Sequence, residues 1–126
     1  MIDIEKHIAY WKNGAEEDLD VAKRLISDGK FRHGLFFAHL ALEKYFKALV
    51  CHHTGNPAPR IHNLTRLCDI SGIKFSDEKR DFLAEMNQFN IMGRYPEILF
   101  PAITNEDADY FMTHAEEAFQ WLVRQL

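Results

Sequence analysis

The sequence has few of the residues that cross-link or interrupt a fold. Its 126 residues include two cysteines, four prolines and six glycines, while hydrophobic residues make up 47% of the chain. That hydrophobic content excludes low-complexity disorder, and the length predicts a single domain over residues 1–126. Cys51 and Cys68 form no CxxC pair and give no sign of a secreted disulfide framework. We therefore expect a reduced, cytoplasmic protein.

Other features that the sequence lacks narrow the range of possible functions. No apolar run is long enough to span a bilayer, and the first residues lack the basic and then apolar order of a secretory signal. The net charge of -4 argues against broad adhesion to nucleic-acid phosphates but leaves room for a local basic groove. The seven histidines do not have the spacing of metal ligands, and no Gly-rich phosphate loop or GxSxG elbow is present. We expect neither a metal site nor another cofactor.

What the sequence does contain is helical periodicity from end to end. The apolar segment from Phe31 to His53 predicts a central helix that begins near Lys30 or Phe31 and ends around Thr54. Around it, capping and stop signals predict helices at 3–27, 63–71, 76–93 and after 104, with Gly93 ending the fourth. An ordered loop is expected from 94 to 103, because Pro96 and Pro101 disfavour helix before them. The predicted fold is all-α, an antiparallel up-and-down bundle of four long helices and one short helix.

One line of polar residues crosses the apolar central helix. The residues at this line are Arg32, Phe36, His39, Glu43 and Lys47, which share a sector of roughly 80° at about 100° per residue. In one interpretation it is an exposed stripe, with a surface pair between Glu43 and Lys47 worth a few tenths of a kcal/mol. In the other, it faces a cleft or subunit interface, since Phe36 would otherwise be exposed, and we favour an interface over catalysis.

Three residues outside the central helix are candidates for binding. Arg94 offers a planar fork of donors for phosphate or carboxylate, and Tyr95 can stack on a base. Alternatively, Tyr95 plugs the end of the bundle and Arg94 donates to helix carbonyls. His62 either fixes the start of the third helix or lines a cleft, because an imidazole both donates and accepts hydrogen bonds.

Five short motifs occur in an order that resembles a known family. They are Trp11, Ala15, Asp18, Leu19 and Ala22; the turn from Gly29 to Phe37; the segment Ala41 to Leu49; His62-Asn63-Leu64; and Arg94-Tyr95-Pro96. Together they resemble the small prokaryotic HEPN domains (higher eukaryotes and prokaryotes nucleotide-binding) over nearly the whole chain. The resemblance implies an up-and-down helical bundle that forms homodimers, often encoded beside a minimal nucleotidyltransferase as a toxin and antitoxin pair.

Under this resemblance, the chain is expected to be a dimerising module that binds nucleotide, RNA or a nucleotidyltransferase partner. The expected ligand-binding residues are His62, Arg94, Tyr95 and Lys44. The expected dimer or partner residues are Phe36, Glu43 and Lys47.

Two alternative functions remain open. Family nucleases use an Arg, four to six further residues and then a His, from both subunits, to cleave RNA without a metal. Only Arg32 and His39 fit that spacing here, early in the second helix rather than near a late one. They are the candidate catalytic residues of a metal-independent endoribonuclease toxin. The third interpretation is a substrate-binding helper subunit of a nucleotidyltransferase, which the same bundle could serve.

Overall fold

Local sequence signals set the ends of the helices. The computed structural model describes residues 2–95 and 100–126. Side-chain oxygens of Asp3, Asn63, Ser76 and Thr104 accept hydrogen bonds from backbone N–H groups in the first turns of the helices that follow them. Gly29 has a φ of 78° just after the first helix. Glycine, which lacks a Cβ atom, ends a helix in this left-handed conformation without strain.

The described residues form five helices and no strand. The helices are α1 (Ile4–Ser27), α2 (Phe31–Thr54), α3 (Leu64–Ser71), α4 (Asp77–Arg94) and α5 (Asn105–Val123). The prediction of an all-α bundle with four long helices and one short helix is thus confirmed. No helix in the described part of the chain is long and apolar enough to cross a membrane.

Helix α2 is the centre of the bundle and contacts each of the other four helices. Tyr45, Phe46 and Leu42 on α2 are among the largest buried side chains. Early positions of α2 meet late positions of its neighbours, as Gly34 meets Ile26 of α1. Burial on several sides explains why the apolar residues of α2 are not confined to one stripe.

Gly93 was expected to end α4, and that prediction is wrong. The helix continues to Arg94, and Gly93 has no positive φ. A Cβ atom at Gly93 would overlap the ring of Phe36 on α2, so the glycine allows α4 to approach α2 closely. Arg94 is consequently the last residue of α4 rather than the first of the loop predicted for 94–103. Residues 96–99 of that loop, including Pro96, lie outside the described residues.

Candidate functional site

A buried carboxylate lies midway along α2. Glu43 is 4% exposed, and Lys47, one turn later on the same helix, is 5% exposed. The Lys47 ammonium donates to Glu43 Oε2 over 3.2 Å, and His62 Nδ1 lies 3.2 Å from both carboxylate oxygens. A buried charge is tolerated in a fold when partners of this kind replace its water. Glu43 therefore lies at the centre of a set of polar side chains. We call this set the Glu43 cluster, and its members are His39, Glu43, Lys47, His62 and Arg94.

The exposed part of the Glu43 cluster is formed by His62 and Arg94. The His62 side chain is 48% exposed, and Arg94 is exposed at the end of α4. The Arg94 guanidinium lies 3.5 Å from His62 Nδ1 and 5.7 Å from the centroid of the Phe36 ring, and its Nε donates to Asn90 over 2.7 Å. In the described residues, His62 Nε2 makes no hydrogen bond. A second ring nitrogen is thus left for an external ligand beside the guanidinium.

The interior part of the Glu43 cluster is His39. It has no exposed surface, and its Nε2 lies 3.3 Å from Asn87 Oδ1, which also accepts the backbone N–H of Leu64. An amide oxygen only accepts, so Nε2 carries the proton of the neutral ring. Burial lowers the pKa of His39 to about 4, against an opposing effect of Glu43. His39 is therefore neutral at pH 7, with Nδ1 facing Glu43 at 3.8 Å.

The Glu43 cluster reaches α1 through Lys47. The Lys47 ammonium lies 5.0 Å from the centroid of the Trp11 ring, within the range of a cation–π interaction. The cluster thus contains one carboxylate and two basic side chains, Lys47 and Arg94. Its formal net charge is about +1 when histidines are counted as neutral, in a chain whose net charge on the same count is -4.

The structure does not bring all of the predicted site residues together. Arg32 donates to the carbonyl of Met92 over 3.2 Å and makes no hydrogen bond with His39. The Lys44 ammonium lies on the α1 side of α2, where it pairs with Asp18 at 2.7 Å. Tyr95, which follows Arg94, is 47% exposed. His62 and Arg94 therefore lie close together, with Tyr95 next to Arg94 in the chain, and Lys44 and Arg32 serve contacts within the fold.

The exposed-stripe interpretation of the polar line on α2 is wrong, because its middle residues are buried within one chain. Glu43 and Lys47, which were expected at a dimer or partner interface, have little surface left for a partner. Phe36 is partly buried beneath the Arg94 guanidinium. A partner on this face would contact the exposed side chains that cover the polar line of α2, chiefly His62 and Arg94.

Sequence reasoning missed two asparagines of α4 that hold the site in place. Asn87 joins α2 to the start of α3, and its Nδ2 also donates to Asn63 over 3.2 Å. Asn90 receives the Nε–H of Arg94. The signal that could have identified them is spacing, because 87, 90 and 94 share one face of a helix.

No three His, Cys, Asp or Glu side chains in residues 2–95 and 100–126 are grouped as metal ligands would be. The chemistry available at the site is that of a guanidinium donor and one free imidazole nitrogen above a buried carboxylate. Desolvation raises the pKa of both cysteine thiols, which are buried and disfavoured as thiolate nucleophiles.

Comparison with known proteins places this helical bundle and its motifs in a family. The HEPN domain model matches residues 8–126, and the chain belongs to the HEPN domain family. The fold is similar to that of TT1696 from Thermus thermophilus, with a TM-score of 0.80, 17% identity, and coverage of 94% of this chain and 98% of that one. It is also similar to ST0689, an archaeal HEPN homologue, with a TM-score of 0.72, 22% identity, and coverage of 99% and 98%. No curated protein sequence gives a significant match.

Proposed function

We propose that this HEPN domain is a module that binds nucleotides or RNA at the surface formed by His62, Arg94 and Tyr95. The observation that carries the proposal is the exposed Arg94–His62 pair, with its two side chains 3.5 Å apart and His62 held by the buried Glu43. The Arg94 guanidinium suits a phosphate, which accepts several hydrogen bonds and carries negative charge, and the His62 ring beside it can form a hydrogen bond with the ligand through Nε2. The exposed ring of Tyr95 adds an aromatic face on which a base can stack.

Binding is better supported than cleavage by Arg32 and His39. A general base must come within hydrogen-bonding distance of the hydroxyl that it deprotonates. His39 has no exposed surface, and the Arg32 guanidinium is engaged by the carbonyl of Met92. The endoribonuclease alternative therefore requires a rearrangement of α2 and α4 that the binding proposal does not.

The replacement of Arg94 with glutamine is expected to weaken the binding of AMP by roughly ten- to a hundredfold, the range for the loss of a hydrogen bond to a charged group. The affinity can be measured by following amide shifts in ¹⁵N–¹H spectra as AMP is added. The matched control is Arg124→Gln, which removes the same charge from an exposed residue after α5 and should leave the affinity unchanged. If Arg94→Gln binds AMP as well as the wild type, the proposed site is wrong. Equal losses in both variants would mean that overall charge, rather than this site, governs binding.

The proposal includes self-association and a nucleotidyltransferase partner in a toxin and antitoxin pair, and both rest on family membership alone. A homodimer should give a mass near twice 14.8 kDa in light scattering. A mass of one chain at high protein concentration would contradict the dimer. Co-purification with a nucleotidyltransferase encoded by a neighbouring gene would support the partner, and its absence from the gene neighbourhood would argue against it.

A further inference from the structure

We infer that the nucleic-acid surface continues from Arg94 across α2 to Tyr10 and Trp11 of α1, which form a second, base-stacking subsite. The ligand class is then a single-stranded oligonucleotide rather than a mononucleotide. This inference rests on the proposed function, because it extends the same surface. It assigns a role to side chains of α1 that the site around His62 and Arg94 leaves unused.

The α1 subsite combines aromatic and basic side chains. A depression of about 230 Å³ is lined by Lys6, His7, Tyr10 and Trp11. Tyr10 is 69% exposed, a large exposure for an aromatic residue, and its ring meets that of Trp11 edge to face with centroids 5.0 Å apart. Stacked bases need aromatic faces, and the backbone between them needs positive charge. Tyr10 and Trp11 supply aromatic faces, Lys6 and His7 supply basic groups, and none of the four lining residues is acidic.

The α1 subsite and the Arg94 surface are joined by side-chain contacts. The Trp11 ring lies under the Lys47 ammonium, Lys47 bonds Glu43, and Glu43 bonds His62, which lies beside Arg94. Because Glu43 and Lys47 are buried, this chain of contacts fixes the α1 subsite relative to Arg94 from inside the bundle. The exposed cations are Lys6 at one end and Arg94 at the other, and they can contact the phosphates of a strand that crosses between them.

The geometry of α2 sets the length of the ligand. Arg94 lies over Phe36 and Trp11 lies beside Lys47, so the Arg94 surface and the α1 subsite correspond to positions 36 and 47 of α2. Eleven residues of α-helix rise about 16 Å at 1.5 Å per residue. At about 3.4 Å for each stacked nucleotide, this distance matches four to five nucleotides.

The test is a length series of fluorescein-labelled oligoadenylates of two, four, six and eight nucleotides, measured by fluorescence anisotropy. Affinity should rise up to four to six nucleotides and then level off. Tyr10→Ala should weaken the six-nucleotide complex by roughly five- to a hundredfold, which is the effect of one lost base–aromatic stack, and leave AMP binding unchanged. Tyr10→Phe keeps the ring and should bind like the wild type. The matched control is Tyr110→Ala, a change of another exposed tyrosine, on α5.

Tryptophan fluorescence reports on Trp11 without substitution of that residue. Trp11 and Trp121 are the two tryptophans of the chain, so Trp121→Phe leaves Trp11 as the sole indole fluorophore. The six-nucleotide ligand should quench that emission, and AMP should not.

The inference is overturned if affinity does not increase beyond two nucleotides, or if Tyr10→Ala behaves like Tyr110→Ala. It is also overturned if Tyr10→Ala halves the mass of the protein in solution and leaves oligonucleotide affinity intact, because a second copy would then occupy the patch. In each case the proposed function survives as long as AMP binding still requires Arg94. Loss of that requirement would refute the proposed function itself.

Discussion

The replacement of Glu43 with alanine is expected to lower the free energy of unfolding by about 3–5 kcal/mol, the usual cost of removing one partner of a buried ion pair. Lys47 is 5% exposed and would lose its carboxylate, which leaves the Trp11 ring as its neighbour. His62 would lose the group that orients it. Urea denaturation followed by circular dichroism measures this change in two-state proteins of this size.

Two further variants test whether the loss of stability comes from the broken buried ion pair or whether any substitution destabilises the chain by as much. In the double variant Glu43→Leu with Lys47→Leu, most of the stability should return, since apolar groups often replace a buried ion pair without loss. Asp20→Ala, which breaks the exposed Asp20–Arg24 pair, should cost a few tenths of a kcal/mol. The account of Glu43 fails if Glu43→Ala costs no more than Asp20→Ala, or if the double variant is as unstable as the single one.

A fall in pH from 7 to 4 is expected to remove roughly 3 kcal/mol of stability through His39 alone. Burial holds the pKa of His39 in the folded chain at about 4, below the ordinary value of 6.5 that applies once the chain unfolds. The unfolded chain therefore takes up the proton first. The stability is fully present above pH 6.5 and is lost as the pH falls from 6.5 towards 4, and the gap between the two pKa values sets the size of the loss.

Groups on several parts of the fold affect the pH range over which His39 takes up its proton. Glu43 on the same helix and the hydrogen bond to Asn87 raise the pKa of His39, whereas His62 and Arg94 lower it, and burial has the largest effect. Urea titrations at pH 7, 6, 5 and 4 should show a steeper loss for the wild type than for His39→Gln, which cannot take up a proton. The exposed His33→Gln serves as the control and should keep the wild-type slope. Parallel curves for wild type and His39→Gln would contradict the buried, neutral imidazole.

The helices could be predicted from sequence because their signals are local. Apolar spacing within one helix and a capping oxygen beside its first turn do not depend on the rest of the fold. Asn63 and Ser76 cap their helices as predicted. Gly93 shows where local reasoning stops, because a glycine that ends a helix and a glycine that admits a neighbouring ring look alike in sequence. Only the position of Phe36 on another helix distinguishes the two.

The Glu43 cluster was predictable in part. The spacing of His39, Glu43 and Lys47 places them on one face of α2, whether that face is exposed to solvent or buried. Their burial comes from side chains of α1 and α4, including Trp11 and Asn87, which the pattern of α2 does not contain. In the same way, the spacing of Arg32 and His39 fits a nuclease pair, yet hydrogen-bond partners on α4 separate the two side chains.

The most direct test of the binding site is a map of the side chains that respond to a nucleotide. As AMP is added to the ¹⁵N-labelled protein, we predict that the Arg94 Nε–H and the His62 imidazole resonances shift together, with one dissociation constant. Signals of Trp121, on the far helix α5, should remain in place. Shifts confined to the region of Trp121, with Arg94 and His62 unchanged at saturation, would contradict the assignment of this surface as the site.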